Sequence, residues 1–135
     1  MKKVILALLL ITAVSQFSFA QKTAKYSFSN SLLSQVLQVK WLTDKKVTFT
    51  YTIKEKNDAG KLNTTIYKGN ATSLGGDGET DEDIDGAYDV DEFKYKLKNC
   101  EVFLRIAADK SKCIIKSGGC NSKVTVDSFD TMIKR

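Results

Sequence analysis

The sequence predicts an all-β protein, a small antiparallel meander of about seven or eight strands closed into a barrel or a sandwich. Three observations carry the prediction. Apolar residues recur with a period of two. The alternating segments are rich in Thr, Val, Ile and aromatic residues, which suit a pleated, half-buried surface. Short turn signals separate them, and the chain contains no proline to demote a strand.

The elements follow in order. "LQVKW" sets Leu37, Val39 and Trp41 on one face and predicts a strand near 36–42. "VTFTYTIK" sets Val47, Phe49, Tyr51 and Ile53 against Thr48, Thr50, Thr52 and Lys54, a half-buried strand over 46–55. Thr43-Asp44-Lys45 divides these two, and Asn57-Asp58-Ala59-Gly60 forms the next turn. Further strands are expected near 61–68 and 70–74. "FKYKLK" opposes Phe93, Tyr95 and Leu97 to three lysines and marks 92–98. "VFLRI" aligns Val102, Leu104 and Ile106 over 101–107, and shorter pieces cover 112–116 and 122–127. Two segments stay ambiguous. "NSLLSQVLQVKW" reads as a strand or as a short helix capped by Ser31. "DSFDTMIKR" reads as a last strand or one helical turn. The expected core joins Trp41, Phe49, Tyr51, Phe93, Tyr95, Leu104 and Ile115.

The first 20 residues stand apart from this pattern. Lys2 and Lys3 precede an apolar run from Val4 to Val14, and Ser18-Phe19-Ala20 offers small residues where a signal peptidase cuts. This predicts a signal peptide over 1–20 and a single β domain over 21–135, periplasmic or secreted. The run is too short to cross ~30 Å of hydrocarbon, so no membrane span is expected.

Charge is unevenly placed. The whole chain carries +5, yet residues 76–92 hold nine acids and no Lys or Arg. The rest of the chain after residue 20 has 19 basic and 7 acidic residues. The lysines are scattered along strands and only Arg105 and Arg135 are arginines, so no nucleic-acid partner is expected.

Three cysteines remain in the domain, an odd number for an exported protein. A hairpin of 101–107 with 112–116, turning near 109–110, sets Ile106 opposite Cys113, Leu104 opposite Ile115 and Cys100 opposite Gly119. That register keeps the apolar residues on one face. It brings Cys100 beside Cys120 and predicts their disulfide, with Cys113 a buried free thiol. The alternative is Cys113–Cys120 across the glycine turn.

The chain has no histidine, which excludes Ser-His-Asp and Cys-His catalysis within it and the usual catalytic zinc sites. Two-carboxylate chemistry remains open in principle, but the acids crowd into one loop and are not set across a groove. The expectation is a non-catalytic protein. "LGGDG" has no strand-to-helix context and no following lysine, so it is no phosphate loop.

The acidic stretch "DEDIDGAYDVDE", residues 81–92, resembles the calcium loop of EF-hand proteins across all twelve positions. The resemblance implies oxygen ligands from Asp81, Asp83, Asp85, the Ala87 carbonyl, Asp89 and the bidentate Glu92, with Gly86 at the sharp turn. Tyr88 departs from the usual aliphatic residue. The flanks carry strand alternation and glycines where the family has helices, so the implied object is a calcium loop set between strands.

In size, export, β-meander and disulfide, the chain also looks like the small periplasmic lysozyme inhibitors, antiparallel barrels that insert a loop into an enzyme cleft. "YKG" at 67–69 and "KSGG" at 116–119 carry this second resemblance, which implies Lys68 and Ser117 as inserted residues. Cys120 and Asn121 stand where the family has a tyrosine. An acidic loop on such a barrel would steer towards a basic protein such as lysozyme. The functional expectation is therefore an exported, inhibitor-like binding module. The alternative is a calcium-stabilised structural or adhesive domain of the cell envelope.

Overall fold

A computed structural model of the protein describes residues 22–75, 90–120, 126–128 and 130–135. Eight strands, each antiparallel to its sequence neighbour, close into a barrel. They are β1 (Thr23–Ser29), β2 (Leu33–Thr43), β3 (Lys46–Lys56), β4 (Leu62–Gly75), β5 (Val90–Leu97), β6 (Cys100–Ala107), β7 (Lys112–Gly118) and β8 (Met132–Lys134). Closure comes from β8, which pairs Met132 with Cys113 of β7 and Ile133 with Ser27 of β1. A closed sheet of eight strands leaves an interior that side chains can fill.

Alternation decides what fills it. Val47, Phe49, Tyr51 and Ile53 of β3 point inward and are buried, as do Leu37 and Val39 of β2, Phe93 of β5, and Val102, Leu104 and Ile106 of β6. Cys113, Ile115, Val126 and Met132 complete the wall. The polar Gln35 is also buried, and its Nε2 donates to the Asp127 carbonyl at 3.3 Å. A buried amide needs such a partner. Trp41 and Tyr95, expected inside, are only partly buried and pack against the core. The Trp41 ring carries the Lys110 ammonium at 4.7 Å, tying the β2 end to the β6–β7 turn.

Several boundaries differ from expectation. Residues 23–29 form a strand that the alternation reading passed over, with Ala24 and Tyr26 inward. The stretch from Leu33 is strand and not helix. Asn30 sets its start: its Oδ1 accepts the amides of Leu32 and Leu33 at 2.9 and 2.8 Å, turning β1 into β2. The two pieces expected over 61–68 and 70–74 are one strand, because Gly69 stays in register opposite Phe49. Of the strand expected at 122–127, residues 122–125 lie outside the described residues, and Val126–Ser128 is not strand. The C-terminal ambiguity resolves to the strand β8.

The turns follow local chemistry. Asn57 accepts the Lys61 amide through Oδ1 at 2.8 Å, while Gly60 takes the left-handed φ of 75° that closes the β3–β4 hairpin. In the β6–β7 turn, Asp109 accepts from both the amide and the hydroxyl of Ser111, at 2.8 and 2.7 Å. The disulfide joins Cys100 to Cys120, and Cys113 is a buried free thiol.

Candidate functional site

Of the residues implied as calcium ligands, Asp81, Asp83, Asp85, Ala87 and Asp89 lie outside the described residues. Glu92 sits on β5, opposite Arg105 of β6, and its Oε2 lies 3.2 Å from the Arg105 Nε. Among the described residues no group of three His, Cys, Asp or Glu side chains is placed to hold a metal.

The two residues implied as inserted into an enzyme are not brought together. Lys68 is exposed on β4, opposite Thr50. Ser117 lies on β7, opposite Val102, in the inward phase of Cys113 and Ile115. Strands β5 and β6 stand between them.

The structure instead draws attention to the sides of β4. On one side, eleven residues of β4 pair with β3, from Leu62 opposite Lys56 to Thr72 opposite Lys46. On the other side only Thr72, Ser73 and Gly75 find partners on β5, with an irregularity between Ser73 and Gly75. Gly75 takes a φ of 89° there. Over 62–71, therefore, no described strand pairs with the outer edge of β4.

The hydrogen-bond phase of that edge can be read directly. Asn57 N donates to the Lys61 carbonyl and Ser73 N to the Lys45 carbonyl, both at 2.9 Å. These bonds bracket the β3–β4 ladder and fix its odd-numbered β4 residues as those bonded to β3. Antiparallel ladders alternate, so Leu62, Thr64, Ile66, Lys68 and Asn70 turn their N–H and C=O groups away from β3. Leu62 and Ile66 are also exposed, at 52% and 53%.

Behind the edge lies an aromatic wall. Tyr67 stacks on the buried Tyr51 with ring centroids 6.4 Å apart. Tyr95 meets Phe49 edge-on at 5.2 Å and packs over Gly69, where a Cβ would run into its ring. The flanks are basic: β4 contains no carboxylate and presents Lys68, and β5 presents Lys96 and leads into Lys98. Lys94 is already held by Glu101, at 2.6 Å.

Sequence reading did not find this edge. Its one signal was that "LNTTIYKG" carries apolar residues on both phases, Leu62 and Ile66 on one and Tyr67 on the other. No protein family, curated protein or solved structure matches the chain.

Proposed function

We propose that the protein is an exported, non-catalytic binding module that takes an extended, acidic segment of a partner protein along the edge of β4 that no described strand pairs. The observation that carries this reading is the run from Leu62 to Asn70, the longest stretch of strand that no described strand pairs on one side. A row of unsatisfied N–H and C=O groups is a template for another strand. Natural edges are normally blunted by proline, bulges or several charges, and this stretch has one lysine and none of the others. The partner's sign follows from Lys68, Lys96 and Lys98, which flank the opening without a free carboxylate among them. The Cys100–Cys120 disulfide fits an oxidising compartment.

The test is backbone amide exchange followed by NMR, with two synthetic octapeptides as probes, one alternating Glu and Val, the other Lys and Val. The acidic peptide should slow exchange at Thr64, Ile66 and Lys68 by about tenfold, equivalent to ~1.4 kcal/mol of protection, and the basic one should not. Equal effects of the two peptides would remove the charge argument. Protection that grows with protein concentration alone would assign the edge to a second copy of the chain. No protection from either peptide, even near ~1 mM, where only ~4 kcal/mol of binding is needed, would sink the reading.

A further inference from the structure

A second surface lies across the outer face of β1, β2 and β3 and meets the β4 edge at Lys68 and Asn70. A concavity of about 610 Å³ opens there, and its cations are Lys25, Lys40, Lys134 and Arg135. The register shows how they assemble. Lys25 stands opposite Gln38, Gln38 opposite Thr50, and Thr50 opposite Lys68. One rung along, Thr23 stands opposite Lys40, Lys40 opposite Thr48, and Thr48 opposite Asn70. Residues facing each other across strands share a face, so two parallel rows of cations and hydrogen-bonding side chains run across the strands. At ~4.8 Å between strands, each row spans about 15 Å.

At the end of the chain Arg135 extends the first row, while Lys134, in register with Tyr26, lines the concavity beside it. The Arg135 amide donates to the Lys25 carbonyl at 2.8 Å and its Nε donates to the Ser27 hydroxyl at 2.9 Å. Lys134 is anchored by its amide to the Ser111 carbonyl at 2.8 Å. The only carboxylate in β1, β2 and β3 is Glu55, at the far end of β3; Asp109 of the β6–β7 turn lies close enough to Lys134 to interact with its charge.

We infer that this face binds a linear anionic polysaccharide. The site is a strip and not a point, which suits a polymer with repeated charges better than a single small anion. Between the cations stand Gln38, Thr48 and Thr50, whose amide and hydroxyls both donate and accept, as an array of sugar hydroxyls requires. Outward positions of the strip carry no aromatic ring, so the stacking platform that single-stranded nucleic acids use is missing.

The experiment measures binding at low salt to heparin, as a sulfated chain, and to polygalacturonate, as a carboxylated one. Neutral dextran and a single-stranded DNA of matched charge complete the set. The two acidic chains separate sulfate from carboxylate recognition, and binding to either supports the inference. Two variants carry the same change in net charge. One is Lys25→Gln with Lys40→Gln and Lys134→Gln. The other is Lys54→Gln with Lys56→Gln and Lys61→Gln, at the opposite end of the barrel. The first should lose about tenfold or more in affinity and flatten the salt dependence by about three units of slope, one per lysine. The second should stay close to the parent, and both should keep the parent's circular dichroism. Equal losses in the two variants would show attraction to net charge alone and overturn the inference. So would DNA binding as tight as the polysaccharide and equally sensitive to the first variant, or no binding to either acidic chain.

Discussion

Tyr95 lies over Gly69 so closely that position 69 has no room for a side chain. This contact holds β4 to β5 where the ladder between them has already stopped. Gly69→Ala should therefore destabilise by about 1–3 kcal/mol, the range for overpacking. The backbone at 69 does not need glycine for its dihedral angles, since Gly69 is not among the positive-φ residues. The cost should thus depend on Tyr95. In denaturant melts, Gly69→Ala made in a Tyr95→Ala background should cost clearly less than in the parent. Strict additivity would show that the ring does not set the glycine.

Leu104 is fully buried between Phe93 and Ile115 across the sheet. Truncation to Ala should cost ~2–5 kcal/mol. A loss below ~0.5 kcal/mol, typical of surface positions, would contradict its inward phase.

The disulfide closes a loop of 20 residues. Replacing Cys100 and Cys120 by Ala should cost about 3 kcal/mol in the chain-entropy description. Cys113 is 0% exposed, and burial pushes its thiol well above the usual range. It should react with a thiol reagent only as fast as the protein opens. Rapid labelling of the native protein would place Cys113 outside the core.

Alkaline pH should unfold the protein in two stages. Burial raises the Cys113 thiol and the phenols of Tyr26 and Tyr51, each of the latter pushed further by the neighbouring Cys113. An acid whose folded pKa is raised costs nothing while it is protonated in both states. Above its unfolded pKa the unfolded chain sheds the proton and the folded chain does not, so stability falls as pH rises. The loss should begin near pH ~8.5 with Cys113 and steepen above ~10 with the tyrosines, by up to ~1.4 kcal/mol per pH unit per group. Cys113→Ala should abolish the first stage in urea melts across pH and leave the second.

The hydroxyl of Tyr51 is buried without a hydrogen-bond partner among the described residues. Removing a buried unsatisfied group relieves a cost of about 1–3 kcal/mol that the rest of the ring must otherwise offset. Tyr51→Phe should keep the stack on Tyr67 and raise the melting temperature. A lower melting temperature would mean that the hydroxyl has a partner in solution.

What the sequence determined by itself was mostly a matter of faces. Alternation in "VTFTYTIK" and "VFLRI" assigned Val47, Phe49, Tyr51, Ile53, Val102, Leu104 and Ile106 to the interior, because successive residues of a strand point to opposite sides whatever the strand's neighbours. The hairpin register followed from the same rule, and with it the Cys100–Cys120 pair, since a one-residue slip would have turned Leu104 and Ile115 outward. Lateral neighbours are a different kind of information. Nothing in "TAKYSFS" says that it pairs with both β2 and β8, and nothing in "LNTTIYKG" says that no described strand pairs with its second edge. Those depend on how the twist of each strand accumulates until the sheet meets itself, a property of all eight strands together. Trp41 and Tyr95 are only partly buried although their phase is inward, Trp41 beside the register irregularity that ends β2 and Tyr95 beyond the last β4–β5 pair. The basic strip is tertiary for the same reason: Lys25, Lys40, Lys68 and Lys134 are scattered along the chain and become one surface only when the strands that carry them lie side by side.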